Sequence, residues 1–518
     1  MATVTGRQYD AIVIGAGHNG LTAAAFLARA GRRVIVLEQR EVIGGLAARE
    51  EFHDGFRSPG ALHETALFDS FVIEQLGLAR HGLTLAESPQ SVFVPHHDGP
   101  GLLIHHDPEK ARAEIAAHSA RDADRYGEYR TFIARVQPFI RRLLCRIPPD
   151  VAAPGWTSSL ALASTGLALR RLGRRDMMEI LRIGPMCVAD WLNEWFETSA
   201  LKCALAAPAL DGSNAGPWSP GTNAMLLRHE ALANHAARGG PGAIVAALEG
   251  ACRGLGVELR TGAAVHRIDV ERSAATGVTL AGGETISATH VAASCDPRRT
   301  FLDLLERRHV PDGLDRRIGH LRANGAAARI NLALSGPLRF ACRPELVVER
   351  ARIADSFDDM ERAFDPIKYH RAAPSPILDV FVPSIGDPTL APDGHHVVSL
   401  LAHSAPRELE GGWTDDARAA FADRALDRLA AHAPDVRALI VARQVLTPAD
   451  LEARYGVAGG HLHHVEHGLD QMIARPDPAC ARYATPIAGL YLCGSGSHPG
   501  GGITGLPGRL AAAAMLKS

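Results

Sequence analysis

Residues 9–45 constrain the fold more than any other stretch of the chain. They read Tyr9-Asp-Ala-Ile-Val-Ile-Gly15-Ala-Gly17-His-Asn-Gly20, then a helix carrying Leu21, Ala24, Ala25 and Leu27, then Gly31-Arg-Arg-Val-Ile-Val-Leu-Glu38 and Gly44-Gly45. An apolar strand that turns through Gly-x-Gly-x-x-Gly into a helix is the geometry a dinucleotide pyrophosphate demands. Gly15 permits the tight turn, Gly17 lets backbone approach phosphate, and Gly20 lets the helix pack on the strand. N–H groups at the helix N-terminus then face the pyrophosphate, where the helix dipole favours negative charge. Glu38 ends the second strand, about where an acid meets the ribose hydroxyls.

A second segment begins at Arg238-Gly-Gly-Pro-Gly242, continues as a helix over 243–255, and leads into a strand expected over Val257–Val265. Val278–Leu280 and Glu284–Ile286 flank Gly282-Gly283 as a hairpin, and His290–Ser294 reads as another short strand. No second Gly-x-Gly-x-x-Gly followed by helix, strand and acid occurs here, and the eight cysteines include no Cys-x-x-Cys pair. A bound nicotinamide and a redox disulfide are therefore not expected. The electron acceptor is expected to be oxygen, a quinone or another small carrier. A third segment runs from the strand before Gly494 through Ser495, His498, Gly500-Gly-Gly502, Ile503 and Thr504 to Pro507 and an alanine-rich helix. Its glycine-rich loop suits the flavin end of FAD, with N–H groups near Ile503 and Thr504 facing charge on the reduced ring.

Between these pieces lie two long stretches. The first is mainly helical, with breaks at Pro148-Pro149, Pro154-Gly155 and Gly216-Pro217. The second alternates strand-like runs over 328–334, 377–382 and 396–401 with a helix near 416–432. The expected fold class is α/β (α+β overall), a Rossmann-type FAD-binding domain with an inserted mixed α/β substrate domain. The FAD-binding domain is expected to be discontinuous, over 1–79, 236–299 and 456–518, with the substrate domain over 80–235 and 300–455.

The formal charge of −2 and pI near 6.9 offer no basic field for nucleic acid. Scattered cysteines point to free thiols in a reducing compartment. Met1–Gln8 is short and polar, so no signal peptide is expected, and no long apolar run suggests a membrane span. The expected location is cytoplasmic, with peripheral membrane contact as an option. The segment 156–178 carries Leu160, Leu162, Leu167, Leu169 and Leu172 beside Arg170, Arg171, Arg174 and Arg175. That composition suits a helix lying on a membrane or one burying its leucines in the substrate domain.

With these regions placed, the chain resembles the phytoene desaturase-like branch of FAD-dependent oxidoreductases, within it the group of pyridine nucleotide-disulphide oxidoreductase domain-containing protein 2. The most specific stretch is Gly460-His461-Leu-His-His464-Val-Glu466-His-Gly-Leu-Asp470-Gln471, followed by Arg475-Pro476, Tyr483, Thr485-Pro486 and His498–Gly502. The resemblance implies that Gly15, Gly17, Gly20, Glu38, Gly44 and Gly45 hold the ADP half of FAD, Val265 its adenine side, and Gly494, Ser495, Gly502, Ile503 and Thr504 the flavin end. Two departures stand out: Leu46 follows the glycine pair where many relatives have arginine, and Ser495 follows Gly494 where many have an acid.

The expected activity is an FAD-dependent dehydrogenase, desaturase or oxidase that passes hydride from a C–H of an apolar, isoprenoid or lipid-like small molecule to flavin N5. A flavin amine oxidase and an FAD-binding interaction protein are the alternatives. Oligomeric state is left open. Candidate catalytic residues are His63, His464 and Glu466, since histidine and carboxylate exchange protons near neutral pH. No metal site is read from the sequence: strand alternation would send His463 and His464 to opposite faces, and no cysteine or carboxylate cluster completes a site around His461 and His467.

Overall fold

A computed structural model describes residues 8–86, 91–151, 155–472 and 474–518 of the chain. The polar start Met1–Arg7 and Pro154 lie outside the described residues. In chain order the strands are β1 (Tyr9–Ile14), β2 (Val34–Leu37), β3 (Glu50–His53), β4 (Phe56–Ser58), β5 (Val92–Val94), β6 (Leu102–Ile104), β7 (Glu258–Arg260), β8 (Val265–Glu271), β9 (Ala274–Leu280), β10 (Thr285–Ala293), β11 (Ala327–Leu334), β12 (Arg350–Ile353), β13 (Leu378–Phe381), β14 (His396–His403), β15 (Ile440–Leu446) and β16 (Leu490–Leu492).

The first sheet has the order β7-β2-β1-β10-β9-β8, with β16 on β10. Its β7-β2-β1-β10-β16 part is parallel. Strands covered on both faces read as continuous apolar runs. In β1, Val13 packs with the helix His18–Arg29, and Ile12 and Ile14 enter a separate core on the other face. Strand β10 joins two pairings: Thr285–Ser287 run antiparallel to β9, and Ala288–Ala293 parallel to β1. The expected separate strands at Glu284–Ile286 and His290–Ser294 are thus one, since no glycine or proline interrupts them. The expected strand Val257–Val265 is instead divided into β7 and β8. Gly262 takes φ +61° between them, and its N–H donates to Arg40 O.

The second sheet has the order β15-β11-β14-β13-β12-β5-β6. It joins the hairpin β5–β6 from the first long stretch to strands of the second. Alternation in β11 sends Ala328, Ile330, Leu332 and Leu334 into a core with the helix Asp415–Ala430. Arg329 and Asn331 face the other side, as the period of two requires.

The segment 156–178 forms two helices, Trp156–Arg171 and Gly173–Ile183, broken where Gly173 takes φ +85°. The first leaves most of its leucines uncovered: Ser158 is its only fully buried residue, Trp156 (80%), Leu160 (53%) and Leu167 (51%) are exposed, and Leu169 is partly buried against the helical core. Among the described residues no helix is long and apolar enough to cross a membrane.

Candidate active site

A groove opens at the C-terminal ends of β1 and β2, where open parallel sheets place ligands. It is lined by Gly15, Gly17, Glu38, Gly45, Val265, His464 and Ser495, together with His18, Asn19, Asp296 and Leu62. Glu38 reaches the groove with both carboxylate oxygens accepting backbone N–H groups, Ala16 N to Oε2 at 2.8 Å and Arg40 N to Oε1 at 3.0 Å.

The glycines divide into two kinds. A Cβ on Gly20 would stand 2.1 Å from Gly15 O and one on Gly44 2.9 Å from Ala48 Cα, so these two admit close backbone packing. Gly494 belongs with them, its Cβ position 2.4 Å from Ser294 O. A Cβ on Gly17 would meet nothing within 4 Å. Open space above a helix N-terminus is what a phosphate needs. Three buried polar atoms of side chains lining the groove also lack protein partners, Asn19 Oδ1, Arg40 Nη1 and His464 Nδ1. The groove therefore fits FAD: room over Gly17, a carboxylate at Glu38, and unspent donors and acceptors towards Ser495.

Beyond Leu62 the groove gives way to a second cavity, lined by His63, Gly502, Ile503 and a set of ionisable side chains from the second sheet. Its three acids have cationic or imidazole partners. Glu64 meets Arg350 at 3.2 Å, Asp379 meets Arg352 at 2.8 Å, and Asp211 meets His463 at 3.1 Å. Burial works to raise the Asp379 carboxyl, but Arg352 and His403 outweigh it and hold the group well below the usual range. Asp211 is likewise held low, by His463 against the effect of burial.

Arg329 differs. It is 1% exposed, and its contacts are the His63 ring (Nη1 3.0 Å from Nδ1 and 2.5 Å from Nε2) and Ala61 O, with Nε unpartnered. Burial lowers its pKa to about 9, against the pull of Asp211 and Asp379, so it stays charged near neutral pH. His63 is pushed well below its ordinary value by burial first, then by Arg329 and Arg350. Ser399 donates to Asn331 Oδ1 at 2.6 Å, and its oxygen lies 2.9 Å from His63 Nε2. His63 is a neutral, fully engaged imidazole.

Not every expected site residue reaches the groove or cavity. Glu466 lies outside both, tied to Arg322 at 2.8 Å and accepting from Asn214 N. Thr504 N–H donates to Gly502 O at 3.0 Å, and the last helix starts only at Leu506, so that N–H is already committed. Pro507 occupies the first turn of this helix, where a proline is tolerated. Residues 461–467 form a turn, not a strand. His464 takes φ +66° and faces the groove, whereas His463 lines the cavity. Arg475 holds this turn by donating to the carbonyls of His463, Val465 and Glu466. Sequence reasoning missed Asn19, Asp211, Arg329 and Asp379. A signal existed for Arg329, the one charge in a strand whose opposite face is wholly apolar.

A family model described as flavin containing amine oxidoreductase matches residues 157–516, and one described as an NAD(P)-binding Rossmann-like domain matches residues 13–68. Pyridine nucleotide-disulfide oxidoreductase domain-containing protein 2 of Rattus norvegicus is 34% identical over 98% of this chain and 93% of its own. Hydroxyneurosporene desaturase of Cereibacter sphaeroides is 29% identical over 98% of this chain and 97% of its own. Among solved structures, an oxidoreductase from Methanosarcina mazei matches with a TM-score of 0.60 at 17% identity, covering 98% of this chain and all of that one, a likeness of fold.

Proposed function

The chain belongs to the flavin containing amine oxidoreductase family and is an FAD-dependent oxidoreductase, and we propose that it oxidises a C–H of a largely hydrocarbon small molecule bearing an anionic group. FAD, when bound, supplies the hydride acceptor. Gly15, Gly17, Glu38, Gly45, Asn19 and Ser495 would hold it in the groove.

One observation carries the substrate class. Of the three arginines lining the cavity, Arg350 and Arg352 each meet a carboxylate, and Arg329 meets none. A buried guanidinium with an unpartnered Nε favours a carboxylate, which accepts from it in plane. The apolar lining residues Leu62, Leu67, Phe381, Leu401, Leu462 and Ile503 suit the hydrocarbon part and exclude water from the reacting carbon. Ammonium recognition is less suited, because Glu64, Asp211 and Asp379 are already paired. The desaturase among the relatives supports C–H removal.

The helix Trp156–Arg171 supplies an approach for such a substrate. Exposed Trp156, Leu160 and Leu167, with exposed Arg170, Arg171, Arg174 and Arg175 beside them, fit an anionic lipid surface. Sedimentation with anionic vesicles would test it: the wild type should co-sediment, and Trp156→Ala/Leu160→Ser should not.

The substrate class is tested by anaerobic bleaching of the flavin with an isoprenoid or fatty acid and with its methyl ester. The acid should reduce the flavin at least about tenfold more efficiently, about 1.4 kcal/mol. Arg329→Met should abolish that preference while the flavin stays bound. An ester as good as the acid would overturn the substrate class.

A further inference from the structure

We propose that His97, Asp355 and His432 form a zinc-like divalent metal site outside both the groove and the cavity. His432 follows the helix Asp415–Ala430, is 3% exposed, and has neither ring nitrogen hydrogen-bonded. An orphaned buried polar group costs about 1–3 kcal/mol, so a side chain held this way points to a missing partner. Its ring stacks on that of His97, with centroids 4.1 Å apart at 28°. Asp355 closes the set, and one ligand atom from each of the three lies within 4.8 Å of the others.

The donor set selects the ion. Two imidazoles and a carboxylate suit Zn²⁺ and its neighbours, whereas Mg²⁺ and Ca²⁺ prefer all-oxygen ligands. Arg428 Nη1 holds Asp355 Oδ2 at 2.9 Å and leaves Oδ1 for the metal, as an outer partner that orients a ligand. Bonds of about 2.0–2.2 Å to one ion need the ligand atoms within about 4 Å of one another. His97 and Asp355 are exposed and lie between regular elements, so their side chains can swing in. His432 is the fixed anchor, and water completes the shell.

Such an ion would tie together the β5–β6 connection, the segment after β12 and the end of the helix Asp415–Ala430. Strand β12 carries Arg350 and Arg352 into the cavity, so the ion would clamp the far end of that wall.

The experiment uses the full chain, FAD-loaded and chelator-treated. Calorimetric titration with Zn²⁺ should give one ion per chain, and Co²⁺ should give the visible absorption of a low-coordinate site. His97→Ala and Asp355→Asn should each weaken Zn²⁺ binding at least about tenfold, with the metal-free melting temperature little changed, because both residues are exposed and Arg428 keeps Asp359 at 2.6 Å when Asp355 is neutralised. Zn²⁺ should raise the melting temperature of the wild type but not of these variants. The proposal is overturned if the wild type binds no Zn²⁺, as when water alone satisfies His432. It is equally overturned if His97→Ala binds like the wild type, or if His105→Ala/His106→Ala loses as much as His97→Ala.

Discussion

Along the groove, polarity towards the ligand is supplied mainly by backbone, at Gly15, Gly17 and the start of the helix His18–Arg29, with Glu38 held by two N–H groups. In the adjoining cavity it is supplied by ionised side chains, with Arg329, Arg350, Arg352, Glu64, Asp211 and Asp379 in one small space. Backbone dipoles need no charge desolvated and admit close approach, but they leave no room for added atoms. Buried charges cost desolvation and persist only while each keeps its partner. The two regions should therefore fail in opposite ways, the groove when atoms are added and the cavity when charges are removed.

Acid should expose the seam between them first. His18 and His464 of the groove and His63 of the cavity are buried, as are His461, His467 and His498 elsewhere in the core, and burial is the largest cause lowering each pKa, to about 4 for His18 and His498 and about 3 for His464. For a base whose folded value is depressed, the unfolded chain binds the extra proton. Stability is thus full above the unfolded value of 6.5 and is lost as pH falls towards the folded values. Between about pH 7.5 and 5.5 each such histidine should cost about 1.4 kcal/mol, together the largest effect considered. Urea unfolding at the two pH values measures it, and an unchanged midpoint would contradict the neutral seam.

Removing a charge comes next. Asp379→Asn strands Arg352, whose side chain is only 13% exposed, and should destabilise by about 3–5 kcal/mol. Flavin retention at saturating FAD should not change. A variant that melts like the wild type would erase the contrast between groove and cavity.

The groove was legible because each of its demands is local. The turn at Gly15, the packing at Gly20 and the acid at Glu38 fall within one strand-helix-strand unit, where spacing alone implies geometry. The cavity was not legible, because its pairs join Asp211 to His463 and Glu64 to Arg350 across long stretches of chain. Glu466 shows the cost of reading such a region locally: it shares a motif with His464, yet it turns to Arg322 on the outside. The helix Trp156–Arg171 was left between two readings for another reason. Composition reported its leucines, but only tertiary packing decides whether a helix face is covered.

Two glycines sharpen the groove side of the comparison. Gly20→Ala drives a Cβ to within 2.1 Å of Gly15 O, a backbone atom that cannot swing aside, and should cost about 1–3 kcal/mol of stability even without FAD. Gly17→Ala meets no protein atom within 4 Å, so the flavin-free protein should melt within about 0.5 kcal/mol of the wild type. Its Cβ would instead occupy the space left for the pyrophosphate, and FAD affinity should fall at least about tenfold, or about 1.4 kcal/mol. Thermal melting of the stripped protein, paired with FAD titration by flavin fluorescence, separates the two. If Gly17→Ala destabilises the stripped protein as much as Gly20→Ala, the space above Gly17 is needed by the fold and not by the cofactor.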